Sequence, residues 1–200
     1  MKSRLLLVLV VLSLLVVSTH GASLLARVRM DSVTRPGFES YLLGKTMPVS
    51  TEPNIVVRSM VEEMFVKYLN KNKVDAIEAN KIISTDRSYT DEEIKEQVLN
   101  NGIKSVLIIK FAGTTETTTQ LPSTITGTGN VFYLNPGATI THQILMFEIT
   151  LYDTELDQMI WTANAKVTCG ALTKMHHVFD SLADKTVKQL IKNGHIKLKP

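Results

Sequence analysis

The side chains that could hold a metal ion are few, and their spacing does not form a ligand set. Of the five histidines, His176 and His177 are adjacent. Neighbouring residues on a helix point about 100° apart, so these two imidazoles cannot easily face one ion. Asp180 follows His176 by four residues, which permits a surface pair but makes a weak site. We therefore expect no bound metal and no cofactor.

The carboxylates and hydroxyls predict no catalytic centre either. Glu62–Glu63 and Asp91–Glu93 are expected at exposed helix positions, and the helix dipole already explains acidic residues in a first turn. No serine lies in a Gly-x-Ser-x-Gly or a Ser-x-x-Lys pattern. Gly127–Gly129 is followed by no lysine and opens no helix, so it is not a phosphate loop. We expect no catalytic residue.

A threonine-rich arm at residues 113–130 is the best candidate for a functional segment. β-branched residues favour extended chain, while Pro122 and Gly127 interrupt the pattern, so the stretch predicts a long hairpin. Long loops in compact domains often bind partners, and exposed β-prone segments can add to a partner's sheet. A hairpin tip without a role is the alternative. The candidate partner-binding residues are Thr114, Thr117, Thr118, Thr119, Thr124 and Thr126.

The segment 1–21 has the pattern of an export signal. Lys2 and Arg4 precede a mainly apolar block at 5–17, and small and polar residues follow at 18–22. This order is typical of a signal peptide, with cleavage expected at the end of the segment. Thirteen helical residues span about 20 Å, short of a hydrocarbon core of about 30 Å, and an uncleaved membrane anchor is the alternative. We expect a periplasmic or secreted protein, without a stable membrane anchor after cleavage.

Charge and cysteine content narrow the partner classes. Cleavage would remove two of the 22 basic residues, which leaves 20 against 19 acidic ones. So balanced a charge does not predict nucleic acid as a partner. Cys169 is the single cysteine, so the chain cannot form an internal disulfide. We expect a small buried thiol near a strand end, with pairing between chains as the alternative.

The remaining pattern predicts the elements that would carry these residues. Segment 22–53 is poorly patterned, a long loop with a possible first strand at Leu24–Met30, and 54–196 is expected to form one domain. Apolar periodicity and capping residues predict helices that begin at Asn54 and Thr90, and a closing helix that ends at Lys192. Strands are predicted at 74–76, 105–111, 131–134, 145–152 and 159–167, the last two as an antiparallel hairpin. The order (β)αβαββββα predicts an α/β (α+β) fold, in which helices pack on a mixed, largely antiparallel sheet.

This arrangement resembles a group of bacterial extracytoplasmic α/β domains, which includes the TolB amino-terminal domain, the curli secretion lipoprotein family and lipoprotein activators of penicillin-binding proteins. The resemblance covers roughly residues 54–194. It lies in the helix before Val74–Ala76, in Asn101–Leu107, and in Glu148–Asp153 followed by Ile160–Ala163 and the final helix. It implies binding or assembly in the cell envelope and implies no catalysis. The chain lacks the lipobox cysteine that many of these proteins carry.

Together these features predict an exported, non-enzymatic protein that binds envelope proteins through its sheet edge and the arm. One alternative is a small-ligand carrier, which would need a cavity between sheet and helices. The other is an enzyme with a site assembled from scattered residues. A pocket that joins two or more of His142, Glu148 and Asp153 would favour that enzyme.

Overall fold

A computed structural model describes residues 26–84, 87–128, 131–135, 137–170 and 173–197, with side chains throughout except at 125–128 and 131–135. The predicted export signal lies outside the described residues. Within these ranges, none of the helices has the length and apolar character that a membrane-spanning helix requires.

Seven strands are described: β1 Arg27–Thr34, β2 Thr46–Ser50, β3 Ser105–Gln120, β4 Thr124–Thr128, β5 Val131–Asn135, β6 Thr139–Asp153 and β7 Gln158–Gly170. Five of them form one sheet in the order β1–β7–β6–β3–β2, in which only the β2–β3 pair is parallel. β4 and β5 pair with each other. The β6–β7 pair confirms the predicted hairpin, and the mixed sheet with packed helices confirms the predicted fold class.

Helices cover the sheet unequally. The described helices are α1 Ile55–Lys71, α2 Asp91–Asn100 and α3 Met175–Lys192, with a short 3₁₀ helix at Ala79–Lys81. α1 and α3 pack on one face, here called the inner face, and form the main core with alternate residues of the strands. Its fully buried members include Phe65, Leu69, Leu107, Ile149, Leu151, Trp161, Leu182 and Leu190.

α2 lies on the opposite face, here called the outer face. Leu107 belongs to the main core, and its neighbour Val106 packs instead with Val98 of α2. Successive side chains of a strand point to opposite faces, so α2 and α1 lie on opposite sides of the sheet. Met47 and Ile103 complete this second cluster. It covers the half of the outer face that β2 and β3 form.

The predicted helix starts and the predicted end of the closing helix are confirmed. The Asn54 side chain caps α1, and Thr90 and Glu93 form the reciprocal capping box of α2. Gly102 and Gly194 follow α2 and α3 with φ of +67° and +84°, the left-handed conformation that glycine adopts without steric cost.

The sequence pattern missed one short strand and overstated another. β2 lies within segment 22–53, which was expected to be mainly a long loop, and it tolerates Pro48 because it is an edge strand. The predicted strand 74–76 forms only one bridge, between Thr46 and Ala76. The Asn70 side chain binds both the N–H and the C=O of Ala76, at 2.9 and 3.2 Å, where a ladder partner would otherwise bind. The first strand does exist, but it runs to Thr34.

Candidate binding surface

Among the described residues, one edge of β3 has no partner strand over much of its length. β2 pairs with β3 as far as Ser50 opposite Ile109, and the Thr51 N–H then donates to the Ile109 carbonyl at 3.1 Å. Glu52–Pro53 leads the chain away into α1. Along Phe111–Gln120, no described strand pairs with β3 on that side. A free strand edge presents N–H and C=O groups that can pair with another chain.

An open apolar cleft lies on the inner face beside this edge, with a volume of about 210 Å³. Phe111 and Met175 are 43% and 45% exposed, whereas Phe147 and Phe179 are buried. The Phe147 ring packs edge-on against Phe111 and Phe179, with centroid separations of 5.6 and 6.3 Å. The other lining residues are Ser50, Glu52, Val57, Val61, Ile109 and Leu145.

The amino termini of two helices border this cleft. The Asn54 carboxamide oxygen accepts the N–H groups of Val56 and Val57 at 3.0 and 3.3 Å, which fixes where α1 begins. α3 begins at Met175. First-turn residues of both helices, Val57 and Met175, therefore reach the cleft. The Asn54 cap positions Val57 through a local signal, whereas Lys174, which precedes α3, makes no side-chain capping hydrogen bond.

The threonine-rich arm extends β3 and β6 beyond the sheet. β7 accompanies β6 as far as His142 opposite Gly170, whereas β3 and β6 stay paired to Gln120 opposite Thr139. The ribbon therefore has two strands beyond His142, and β4 and β5 continue it. A register shift between Phe111 and Gly113 lies where the threonine-rich segment begins, and Thr114–Thr117 are still opposite residues of β6 that pair with β7.

The predicted partner-binding threonines lie along this ribbon but do not form one cluster. Thr114 and Thr118 share a face with Leu145, because they lie opposite Leu145 and Thr141. Thr117 and Thr119 lie on the other face, and all four side chains are exposed. Thr124 opens β4 and is exposed. Thr126 lies within β4, and its side chain is outside the described residues.

The ionisable residues that could have assembled an enzyme site are kept apart. Glu148 forms an ion pair with Lys110 at 3.1 Å on the outer face. Asp153 accepts the N–H groups of Glu155 and Leu156 in the β6–β7 turn. His142 lies at the base of the arm, six positions from Glu148 along the same strand.

Glu62 was expected at an exposed position, and this prediction is wrong. Its side chain is buried and accepts the Ser50 N–H at 3.0 Å. Helical periodicity failed here because the partner is a backbone group of β2, outside the helix. Burial raises the pKa of the Glu62 carboxyl above its ordinary 4.5, while the Ser50 amide and the charge of Arg58 lower it.

This shift predicts a pH dependence of stability. A carboxyl whose folded pKa is raised stabilises the fold fully below its unfolded pKa, and that contribution is lost as the pH rises through the folded pKa. Glu62→Gln should therefore flatten the decline in unfolding free energy above about pH 4.5. Urea unfolding of both proteins across that range measures this. Glu63→Gln, at an exposed position, is the control. A wild-type minus Glu62→Gln difference that is constant with pH would contradict the assignment.

The adjacent histidines lie together, but not in a ligand set. The rings of His176 and His177 are 3.9 Å apart between centroids, in the exposed first turn of α3. Among the described residues, no group of three or more His, Cys, Asp and Glu side chains could hold a metal ion.

Cys169 has the predicted buried environment. Its thiol lies 3.6 Å from the Gln143 carbonyl oxygen, and burial raises the pKa of the thiol.

Sequence reasoning missed the residues of the cleft. Phe111, Phe147, Met175 and Phe179 come from three separate elements, and each matches the apolar pattern of its own element. One sequence signal was available: Met175 is the first residue of α3 and continues the apolar face of that helix. The convergence itself depends on strand order, which periodicity does not give.

Comparisons with known proteins add two distant structural likenesses. No protein-family model and no curated protein matches the chain. The PelC dodecamer from Paraburkholderia phytofirmans is similar with 10% identity and a TM-score of 0.47, over 86% of this chain and 99% of that one. Lipoprotein GNA1162 from Neisseria meningitidis is similar with 11% identity and a TM-score of 0.43, over 74% and 99%. The narrower resemblance to the TolB and curli group stays a prediction.

Proposed function

We propose that this chain is an exported, non-enzymatic binding protein that captures an extended segment of an envelope partner as an added strand beside β3. The observation that carries the proposal is the coincidence of a free strand edge with an apolar cleft. Beyond Ile109 no described strand covers this edge of β3, and Phe111 lies both on that edge and in the cleft. The pattern of segment 1–21 supports export.

Strand addition explains why the edge and the cleft occur together. A strand paired with β3 beyond Ile109 would extend the position that β2 occupies in the sheet. Its alternate side chains would point to the inner face, between Val57 of α1 and Phe111. In this mode of recognition, main-chain hydrogen bonds provide affinity and pockets for alternate side chains provide specificity.

The size and chemistry of the cleft favour side chains over a separate small molecule. A volume of about 210 Å³ is below the range of about 300–1,000 Å³ typical of small-molecule sites. Of the described residues that line it, Glu52 is the one with an ionisable side chain. Such a lining suits apolar contacts and offers no acid–base pair, which supports a binding role.

A labelled peptide tests this function. The probe is a peptide of about ten residues that alternates valine with threonine or lysine, since such a segment can present one apolar face. Met175→Glu places a charge in the cleft and should weaken binding at least about tenfold, or about 1.4 kcal/mol. Leu156→Glu is the matched control, because Leu156 is 55% exposed in the β6–β7 turn. Fluorescence anisotropy gives the dissociation constants.

Two outcomes of that experiment would contradict strand capture. One is equal loss of binding in Met175→Glu and Leu156→Glu, since only the first residue lines the cleft. The other is equal affinity for a peptide of the same composition with its valines in one block. A fatty acid that binds the cleft while both peptides do not would favour the small-ligand carrier, for which the apolar lining is the supporting observation.

A further inference from the structure

The outer face of the sheet is only half covered. α2 packs over β2 and β3, whereas no described helix lies over β1, β7 and the adjoining part of β6. Alternate residues of β1 and β7 are exposed there, and Val33 is 68% exposed. An antiparallel sheet can leave one face in contact with water, and among the described residues this half of the sheet has no covering layer. The inner face, which carries the cleft, is not involved.

The uncovered half carries an unbalanced positive charge. Arg27 and Arg29 of β1 and Lys166 of β7 are exposed on it, with Asp31 as the acidic residue of β1 on the same face. Arg29 lies directly opposite Lys166 in the antiparallel pair. Like charges at opposed positions destabilise a sheet. Within the described residues, none of the three cations forms an ion pair.

α2 carries an unbalanced negative charge on the side that faces away from its own sheet. Glu92, Glu96 and Leu99 are exposed at i, i+4 and i+7, and therefore form one stripe. Leu99 is 41% exposed. Two glutamates at i and i+4 repel each other. The single lysine of the helix, Lys95, already pairs with Asp157 at 2.9 Å.

From these two imbalances we infer that the chain forms a two-fold symmetric dimer through its outer faces. The α2 helix of each copy lies on the uncovered β1–β7 half of the other. On each outer face, α2 and the uncovered half lie side by side. When two outer faces meet about a two-fold axis that lies between them, the α2 helix of each copy is placed over the uncovered half of the other. Each α2 then has Val98 against its own sheet, and Glu92 and Glu96 against Arg29 and Lys166 of the partner copy. Such an interface is isologous, with both contacts identical.

A second copy fits better than an unrelated partner because this one face supplies both halves of the contact. An acidic stripe with one apolar residue and a basic patch belong to the same surface, and charge complementarity sets the partner and register of an interface. The dimer would cover this half of each sheet without a further protein. It leaves β3 and the cleft free, so it is independent of the proposed function.

Two charge-reversed variants, measured alone and as a mixture, test the dimer. Sedimentation at about 50 µM should give the wild-type protein twice the monomer mass. R29E/K166E and E92K/E96K should each be monomeric, with association weakened at least about a hundredfold, because like charges then face each other. A one-to-one mixture of the two variants should regain twice the mass, since the reversed charges attract across one contact and the native charges across the other. K71E/K192E, which makes the same change of charge on α1 and α3, should remain dimeric.

The inference is overturned by a wild-type protein that stays monomeric under these conditions. It is equally overturned if both reversed variants remain dimeric, or if the mixture stays monomeric while circular dichroism shows each variant folded. Peptide binding at β3 is measured separately on the same variants and should be unchanged, so failure of the dimer and failure of strand capture are distinguishable.

Discussion

Replacing His195 with alanine should lower the free energy of unfolding by about 3 kcal/mol, because it removes a buried ring and leaves two polar partners without a hydrogen bond. His195 is completely buried. Its Nδ1 lies 2.9 Å from the Tyr41 carbonyl oxygen and its Nε2 lies 3.0 Å from the Thr34 hydroxyl. A carbonyl oxygen only accepts, so Nδ1 carries the proton and donates it.

The position of His195 explains the size of this effect. The residue follows Gly194 at the end of α3, and its ring links that end to Thr34, the last residue of β1, and to the loop that contains Tyr41. Asn193, two residues earlier, accepts hydrogen bonds from Ser32 at 3.0 Å and from the Trp161 indole at 3.2 Å. The polypeptide after α3 therefore fixes the edge strand β1 to the core.

Urea unfolding followed by tryptophan fluorescence measures this loss, because Trp161 is the single tryptophan and lies beside the network. His177→Ala, at an exposed position of α3, is the control and should change stability by less than about 0.5 kcal/mol. A His195→Ala protein that loses no more than the control would show that the hydrogen-bonded ring does not hold β1 in place.

Shortening the arm should separate binding from stability. If Asn-Gly replaces residues 118–141 and joins Thr117 to His142, the melting temperature should change by less than about 3 °C. The residues of β3 from Thr114 to Gln120 are all exposed, so no core is removed. Peptide capture should weaken at least about tenfold, since the free edge of β3 loses its outer residues and their main-chain hydrogen bonds.

The pairing register of β3 and β6 explains why the cut is placed after Thr117. Removal of the threonine-rich residues 114–128 would be the simpler deletion, but it would begin inside the main sheet. Thr114 and Thr115 lie opposite Leu145 and Ile144, which also pair with β7 inside the main sheet. A deletion that begins at residue 114 would leave Leu145 and Ile144 of β6 without their partners in β3. Calorimetry and anisotropy on the shortened protein check both expectations. A large drop in melting temperature, or unchanged capture, would contradict the division between sheet and arm.

Local signals were enough to predict most elements of this fold. Asn54 and Thr90 begin helices because their side chains accept backbone N–H groups that the helix leaves free. Gly102 and Gly194 end helices because they adopt positive φ. These effects act within three or four residues, so a sequence shows them directly.

The errors and omissions come from contacts between distant segments. Pro48 indicates a loop when only its neighbours are considered, yet it is accommodated in a strand at the sheet edge. Glu62 is buried because β2 supplies an amide for it. The cleft depends on Phe111, Phe147 and Phe179 converging from elements more than thirty residues apart. Strand order determines each of these contacts, and local periodicity contains no information about strand order.

Hydrogen exchange of backbone amides, with and without the alternating peptide, tests strand capture at β3 most directly. A newly paired strand protects amides on the edge it covers, so saturating peptide should slow exchange at alternate amides of Phe111–Thr119. Exchange in β1, at the other edge of the sheet, should stay unchanged, and the protection should be weaker in Met175→Glu at the same peptide concentration. Unaltered exchange along Phe111–Thr119 in the peptide-bound protein, or protection that appears along β1 instead, would contradict the proposed binding surface.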